Sequence, residues 1–564
     1  MKRGITLLKR ALTYMRQRHN LVAFAVVFAA IFLRYLSCGT DYIWQQDDYI
    51  QYINYPRGGA WGLLLLKEGL LASRPLAAIT DLFVWSRFAD CMMVSVFLLS
   101  ALYAASALLF LHVFRRRFGT GWMFIVLYTL IPIGIEASYW ISAASRLICG
   151  LFWCALSLWL LSSFVEDKRT WCGVLYFPVL LLAYGYYEQT LVLAAAASLL
   201  LMIGYLVERR PRALLALWTF AAAGIYFLFT SAFSDTGAMA ARMQLALPDN
   251  PWYFKVFLPN ISTQIWQAMA KGSAAITLRG FVRGAEMIAA DGKWIWLILC
   301  VGLCVAHALL AHREARRDQN GTARGLAGRY LFGVLLTLAP VSIFFFIANP
   351  YFALRNALPA VVGLAFLGDL TLRLCLRRQA RLHAVLCGVL AAVFCIASVS
   401  EMHDYRATYA QDLLMLDCIE QKIEAEDDVL TGKRIGIIGA NATYLSEQNF
   451  YFNGHISGIT ASDWGLYGAL VARAGEELSF TIVPLAVDED CFWRGWNRDL
   501  KQIDGFDVLW YWDDETATLL DLDVVYESDG TISLFFAHDG SFCAAVWEEQ
   551  EPSGEYFGYI RFAP

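Results

Sequence analysis

Apolar residues dominate this chain in long unbroken runs, and polar residues gather in short blocks between them. A run of about 18 or more apolar residues is long enough to cross a bilayer as a helix. Read this way, the pattern predicts eleven spans: 20–37, 91–114, 121–138, 147–164, 171–187, 189–207, 213–233, 293–311, 330–347, 353–372 and 383–400. The fifth and sixth are separated only by Tyr187-Glu188-Gln189. If that joint is a single long helix, every later span reverses its direction.

Two connections are too long and too apolar to be simple loops. Loop 38–90 has a polar start, a Gly58-Gly59 break and then WGLLLLKEGLLAS. Loop 234–292 contains WYFKVFLPNISTQIWQAM and ITLRGFVRGAEMIA. Both are amphipathic and predict helices packed over the outer mouth of a bundle. After residue 400 the pattern changes. Residues 401–430 read as a helix with Leu413, Leu414, Leu416 and Ile419 on its apolar face. Strand-like runs follow at Arg434–Ile438, Phe480–Ala486, Val508–Trp512 and Ile532–Phe536. The expected architecture is an α-helical polytopic membrane domain (1–400, about eleven transmembrane helices) joined to a small α/β domain (401–564).

Composition agrees. The chain is 58% hydrophobic and only 17% charged, against about 25% charged in soluble domains. The net charge of −4 hides an asymmetry: from Glu401 onward there are 31 acids and 9 bases, and before it 18 acids and 36 bases. Loop charge sets the direction of the spans. With the N-terminus inside, the inner pieces hold 23 bases in 65 residues and the outer loops 10 in 120. The acidic tail is then extracytoplasmic. The basic, apolar N-terminus lacks a small-x-small cleavage site, so the first span is expected to stay. Most of the 13 Cys lie in apolar runs; Cys418, Cys491 and Cys543 leave room for one disulfide in the tail. No Cys/His spacing resembles a zinc site.

The candidate chemistry gathers at the outer ends of the spans. Asp47 and Asp48, in Trp44-Gln45-Gln46-Asp47-Asp48-Tyr49, suit a general base or a cation site. Arg74 follows the first loop's amphipathic stretch, Glu136 ends the third span and Arg146 starts the fourth. Tyr187 and Glu188 lie at the fifth-to-sixth joint, and Tyr351 and Arg355 between spans nine and ten. Ionisable groups in such places are costly and face a cavity more often than lipid. An ordinary reading stands beside each one: loop acids are solvated, interfacial aromatics anchor helices and terminal Arg snorkels. The inner charges read as simple basic flanks. Gly436-Ile437-Ile438-Gly439-Ala440-Asn441 reads as a strand and tight turn rather than a nucleotide-binding fingerprint.

The layout resembles the GT-C superfamily of polytopic glycosyltransferases, nearest the bacterial GtrII-type glucosyltransferases. In that superfamily an acidic pair follows the first span and a basic residue late in the bundle meets the donor phosphate. QQDDY matches the first feature and ANPYFALR the second, and the likeness covers residues 1–400. The resemblance implies a polyprenyl-phosphate sugar donor, a surface glycan or glycoconjugate acceptor, and inversion at the anomeric carbon. Asp47 would be the base and Asp48 its helper. Read from the residues themselves, Arg355, with Arg74 or Arg146, would hold a phosphate, and Glu136, Tyr187, Glu188 and Tyr351 would complete the substrate site. The resemblance also implies the bacterial cytoplasmic membrane, polysaccharide biosynthesis in the cell envelope, and no nucleic acid. No metal site is assigned, and a divalent cation (Mg or Mn) remains open as a cofactor. The alternatives are an O-antigen-type polymerase or ligase and a transporter or flippase of lipid-linked intermediates.

Overall fold

Apolar side chains cover backbone amides best when those amides bond within one helix, and the long apolar runs do become helices. The computed structural model describes residues 19–57, 73–233, 245–249, 251–315, 325–348, 350–376, 379–440, 450, 455–456, 458–485, 492–495, 503–550 and 556–563. The chain divides into two units, residues 1–42 with 60–403 and residues 43–59 with 404–564.

In the first unit, and in the helix that leaves it, eight helices are long and apolar enough to cross a membrane. They are Trp85–Phe118, Ile141–Glu166, Glu188–Val207, Pro211–Ser231, Trp294–Glu314, Leu326–Phe345, Leu354–Cys375 and Ala380–Glu426. Two expected spans are shorter apolar helices, Asn20–Arg34 and Thr170–Tyr186. The third expected span is broken. Met123–Leu130 is followed by a 3-10 turn at Pro132–Gly134 and a short helix Ile135–Tyr139. The residue before proline is pushed out of the helical region, and Ile131 has ψ 126°. Among the described residues, eight of the expected spans are helices of full membrane-crossing length, two are shorter and one is broken.

Close crossings are made at glycine. A Cβ on Gly363 would sit 2.4 Å from the Thr337 amide nitrogen, so helix Leu358–Cys375 packs backbone to backbone on Leu326–Ser342. A Cβ on Gly284 would sit 2.2 Å from the Ile396 carbonyl oxygen, seating helix Gly280–Ala290 on the last apolar helix. Small residues serve this purpose where lipid gives helices no hydrophobic drive to associate. The amphipathic stretches of 251–290 are helical, with π-turns at Tyr253–Phe257, Gln267–Gly272 and Ala275–Arg279. The stretch WGLLLLKEGLLA of the first loop lies outside the described residues.

The basic residues that end helix Met92–Phe118 are more than flanks. Arg115 pairs with Glu314 at 2.6 Å, Arg116 with Glu166 at 2.8 Å and Asp167 at 2.7 Å, and Arg117 with Glu208. Lys and Arg counting cannot register these pairs, because the acids lie one or more connections away along the chain.

The second unit is built on one mixed eight-stranded sheet, ordered β2-β1-β4-β5-β6-β7-β8-β3. The strands are β1 (Arg434–Ile438), β2 (Thr481–Leu485), β3 (Phe492–Gly495), β4 (Val508–Asp513), β5 (Thr518–Tyr526), β6 (Ile532–Phe536), β7 (Phe542–Gln550) and β8 (Tyr556–Phe562). Strands β2, β1 and β4 run parallel, and the other pairings are antiparallel. All four strands expected from the sequence are present, and four more were not expected. One face carries a core of Met415, Leu416, Ile419, Leu466, Leu470, Ile435 and Trp510. A second core gathers Ile438, Val483, Leu485, Leu534, Val546 and Ile560. The expected apolar face of 401–430 shifts by one position. Leu414 is exposed and Met415 buried, because helical spacing groups Asp412, Met415, Leu416 and Ile419. Gly439 takes a left-handed turn (φ 78°) at the end of β1, and Asn441 lies outside the described residues. Cys418 and Cys543 are free thiols, and Cys491 is likewise outside the described residues.

The segment Ile43–Gly59 groups with residues 404–564 rather than with the membrane helices. Glycines make the join. Cβ atoms on Gly465 and Gly468 would lie 3.3 Å from Gln46 and 3.2 Å from Tyr49, so the helix Asp463–Ala474 packs directly on this segment.

Candidate functional site

Five backbone breaks in the first unit end on polar or aromatic side chains. Tyr187 is extended (φ −158°, ψ 139°) between helices Thr170–Tyr186 and Glu188–Val207. The fifth and sixth segments are therefore two helices. Glu188 then occupies the first turn of its helix, where the dipole favours an acid. Glu136 does the same in Ile135–Tyr139, just past the proline break. Trp140 is extended before helix Ile141–Glu166, whose first amide donates to the Tyr42 hydroxyl at 2.9 Å. Arg74 precedes Pro75 at the start of Pro75–Phe83. Arg355 lies in a 3-10 turn, Leu354–Ala357, leading into Leu358–Cys375.

These ends assemble two linked ion pairs. The Glu136 carboxylate accepts from both ends of Arg355, from Nη1 at 2.6 Å and from the backbone amide at 3.2 Å. The Arg355 guanidinium lies 4.9 Å from the Trp140 ring centre and 5.7 Å from that of Tyr351. Glu136 is nearly fully enclosed, whereas the Arg355 side chain is 23% exposed. Arg74 Nε donates to both oxygens of Glu188 at 3.2 Å, and its guanidinium stacks 4.2 Å from the centre of the Tyr187 ring. Burial opposes the Arg74 charge, and the adjacent Glu188 carboxylate outweighs it, so the guanidinium is held above its usual range.

Asn356 ties the pairs together. Its Nδ2 donates to the Tyr187 hydroxyl at 2.9 Å and to Gln189 Oε1 at 3.3 Å, and its Oδ1 caps the turn by accepting from the Ala353 amide at 3.0 Å. Gln189 Nε2 donates to the Pro340 and Asn356 carbonyls at 3.0 and 2.9 Å. The chain Arg74–Tyr187–Asn356–Arg355–Glu136 is thus one polar network with aromatic walls. Its exposed members are Arg355 and Tyr351. It offers guanidinium donors for an oxyanion beside flat apolar rings.

Six of the seven predicted first-unit residues meet here: Arg74, Glu136, Tyr187, Glu188, Tyr351 and Arg355. Arg146 does not join them. Its partner is the fully buried Asp81 at 3.4 Å, which also accepts from Ser145 Oγ at 3.0 Å. Asn356 and Gln189 were missed because they carry no charge, although both adjoin a predicted residue.

Asp47 and Asp48 belong to the second unit. Asp48 is fully buried, and its carboxylate accepts from the Gln45 amide at 3.2 Å at the start of helix Gln46–Tyr49. Asp47 is half-buried and accepts from the Trp464 indole at 2.8 Å. Among the described residues, no three His, Cys, Asp or Glu side chains converge as a metal site would need.

A scan against protein-family models finds no match for this chain, and a search of curated proteins finds none either.

Proposed function

We propose that the protein is an inverting membrane glycosyltransferase that takes sugar from a polyprenyl-phosphate donor at the outer face of a bacterial cytoplasmic membrane. The observation that carries this reading is the half-enclosed Arg355, clamped by Glu136 between the rings of Trp140 and Tyr351. A guanidinium on the leaving phosphate oxygens stabilises the charge that develops as the glycosidic bond breaks. Aromatic rings beside it suit a sugar face. In the single displacement, the acceptor hydroxyl oxygen attacks the anomeric carbon and the lipid phosphate leaves with the bonding electrons. The acceptor proton passes to a carboxylate. Asp47 is the proposed base on its place after the first span, and Asp48 serves it by fixing the start of the helix that carries it. The acceptor is a surface glycan or glycoconjugate, the N-terminus is cytoplasmic and the C-terminal unit extracytoplasmic. A divalent cation remains open.

One observation favours a second reading, a transporter of lipid-linked intermediates: the broken third span, with Glu136 directly after the break. Purified full-length protein reconstituted in lipid vesicles, given a radiolabelled polyprenyl-phosphate sugar and host envelope glycan, separates the two. Transfer of label to glycan, lost in Arg355→Gln, supports the transferase. Movement of intact donor across a vesicle bilayer without cleavage would replace it with the transporter.

A further inference from the structure

Arg34 ends the first apolar helix, His19–Arg34, and is 1% exposed. Its Nη2 donates to the Tyr35 hydroxyl at 2.9 Å and to Ser138 Oγ at 3.1 Å, and its guanidinium lies 4.9 Å from the Tyr35 ring centre. Those partners are neutral and already engaged. The Tyr35 hydroxyl and Ser138 Oγ lie 2.6 Å apart, and Ser138 Oγ donates to the Gly134 carbonyl at 2.6 Å. Arg34 Nε and Nη1 have no hydrogen-bond partner, and among the described residues no carboxylate pairs with this side chain.

This sets Arg34 apart from the enclosed arginines around it. Arg355, Arg74 and Arg146 each face a carboxylate. An unpaired buried cation is far costlier than hydroxyl partners and a helix C-terminus can offset. Nε carries one N–H and Nη1 two, so three strong donors on one planar group lack acceptors. What is missing is an anion with several acceptor oxygens.

We propose that Arg34 is the core of an anion site that takes a phosphate group, with Tyr35 and Ser138 as hydroxyl partners. A phosphate has oxygens enough to accept from Nε and Nη1 separately, and it accepts from hydroxyls as well. The source is a free phosphate or a lipid headgroup, which share this chemistry. The site is distinct from the Arg355–Glu136 pair, yet one short helix carries a member of each, Ser138 and Glu136 on Ile135–Tyr139. It goes beyond the glycosyl-transfer reading and stands or falls without it.

The test is thermal unfolding of the full-length protein in dodecyl maltoside micelles, which carry no phosphate. One arm compares sodium phosphate with sodium chloride at matched ionic strength. The other compares dioctanoyl phosphatidic acid with dioctanoylglycerol, which lacks the phosphate. Both use the Arg355→Gln background, which removes the partly exposed guanidinium of the first network. The midpoint is expected to rise by several degrees with the phosphate-bearing probe in at least one arm. A rise in the lipid arm alone assigns a headgroup, and a rise with free phosphate assigns a soluble source. Adding Arg34→Gln should abolish the rise while leaving the anion-free midpoint no lower, because a buried uncompensated charge is gone. Ser138→Ala should raise the half-saturating concentration several-fold. No rise in either arm overturns the proposal. So does a rise that survives Arg34→Gln, or an Arg34→Gln protein that is unstable or unfolded without anion, since Arg34 would then be structural.

Discussion

At the scale of single residues, the side chains divide by what their partners leave them free to do. Asp48 has its carboxylate committed to the Gln45 amide and is wholly enclosed, whereas Asp47 has one indole partner and partial exposure. Asp48→Ala should therefore destabilise the protein by about 1–3 kcal/mol, the cost of leaving a buried amide donor unsatisfied. Asp47→Asn should stay within about 0.5 kcal/mol of wild type, as surface changes usually do. Chemical denaturation of the full chain in detergent measures both, and equal losses would remove the distinction drawn between the two acids. Arg355→Lys tests the site in the same spirit. A lysine keeps the charge and the backbone bond to Glu136 but not the planar guanidinium beside Trp140 and Tyr351, so transfer should fall at least tenfold with folding intact. Activity near wild type would show that charge alone suffices. The sequence displayed Glu136, Glu188 and Arg355 plainly, because ionisable groups stand out in apolar runs. It hid Asn356 and Gln189, which do the linking without charge, and it hid Arg34, whose position at the end of a span looked like any terminal arginine. It offered Arg146 as a member of the group, and only the structure reveals Asp81 as its partner.

At the scale of elements, glycine and proline decide where helices meet and where they stop. Gly363 lies against the Thr337 backbone, so Gly363→Val should force helices Leu358–Cys375 and Leu326–Ser342 apart and cost about 1–3 kcal/mol by overpacking. A thermal midpoint unchanged in detergent would refute that contact. The sheet shows what local chemistry could have foretold. Asp529-Gly530 and Asp539-Gly540, with positive φ at both glycines, are hairpin signals that mark the β5–β6 and β6–β7 turns. Strand β5 escaped notice because its face alternates only weakly, with Asp521 and Asp523 among its apolar residues. Asp513, Asp529 and Asp539 accept from the amides of Glu515, Thr531 and Ser541 at 3.0, 2.9 and 2.9 Å. Hydrogen bonds with Thr516, Thr531 and Ser541 hold these three carboxyls below the usual range. A lowered folded pKa adds stability above the unfolded value, about 4, and that stability is lost as pH falls through the folded value. Replacing all three with Asn, which keeps the acceptor but cannot titrate, should flatten the fall in thermal midpoint below about pH 4. Curves that superimpose with wild type would show that the turns do not contribute.

At the scale of the whole molecule, the change in charge near residue 400 falls beside the boundary between the two units at His403/Asp404, within one continuous helix, Ala380–Leu430. The sequence could not show that Ile43–Gly59 groups with the acidic tail. That grouping depends on Gly465 and Gly468 some 400 positions away, and a hydropathy pattern carries no pairing at that distance. Nor could it separate a full span from a short or broken one, since hydropathy averages across the kink at Ile131–Gly134. The central claim, that Arg355 serves transfer of a sugar from a lipid phosphate to an envelope glycan, is tested most directly in the host. Surface glycans would be profiled by mass spectrometry in cells lacking the protein, and in the same cells complemented with wild type or with Arg355→Gln at equal membrane levels. The account predicts one sugar lost on deletion, restored by wild type and not by Arg355→Gln. The same glycan profile in all three strains would contradict it.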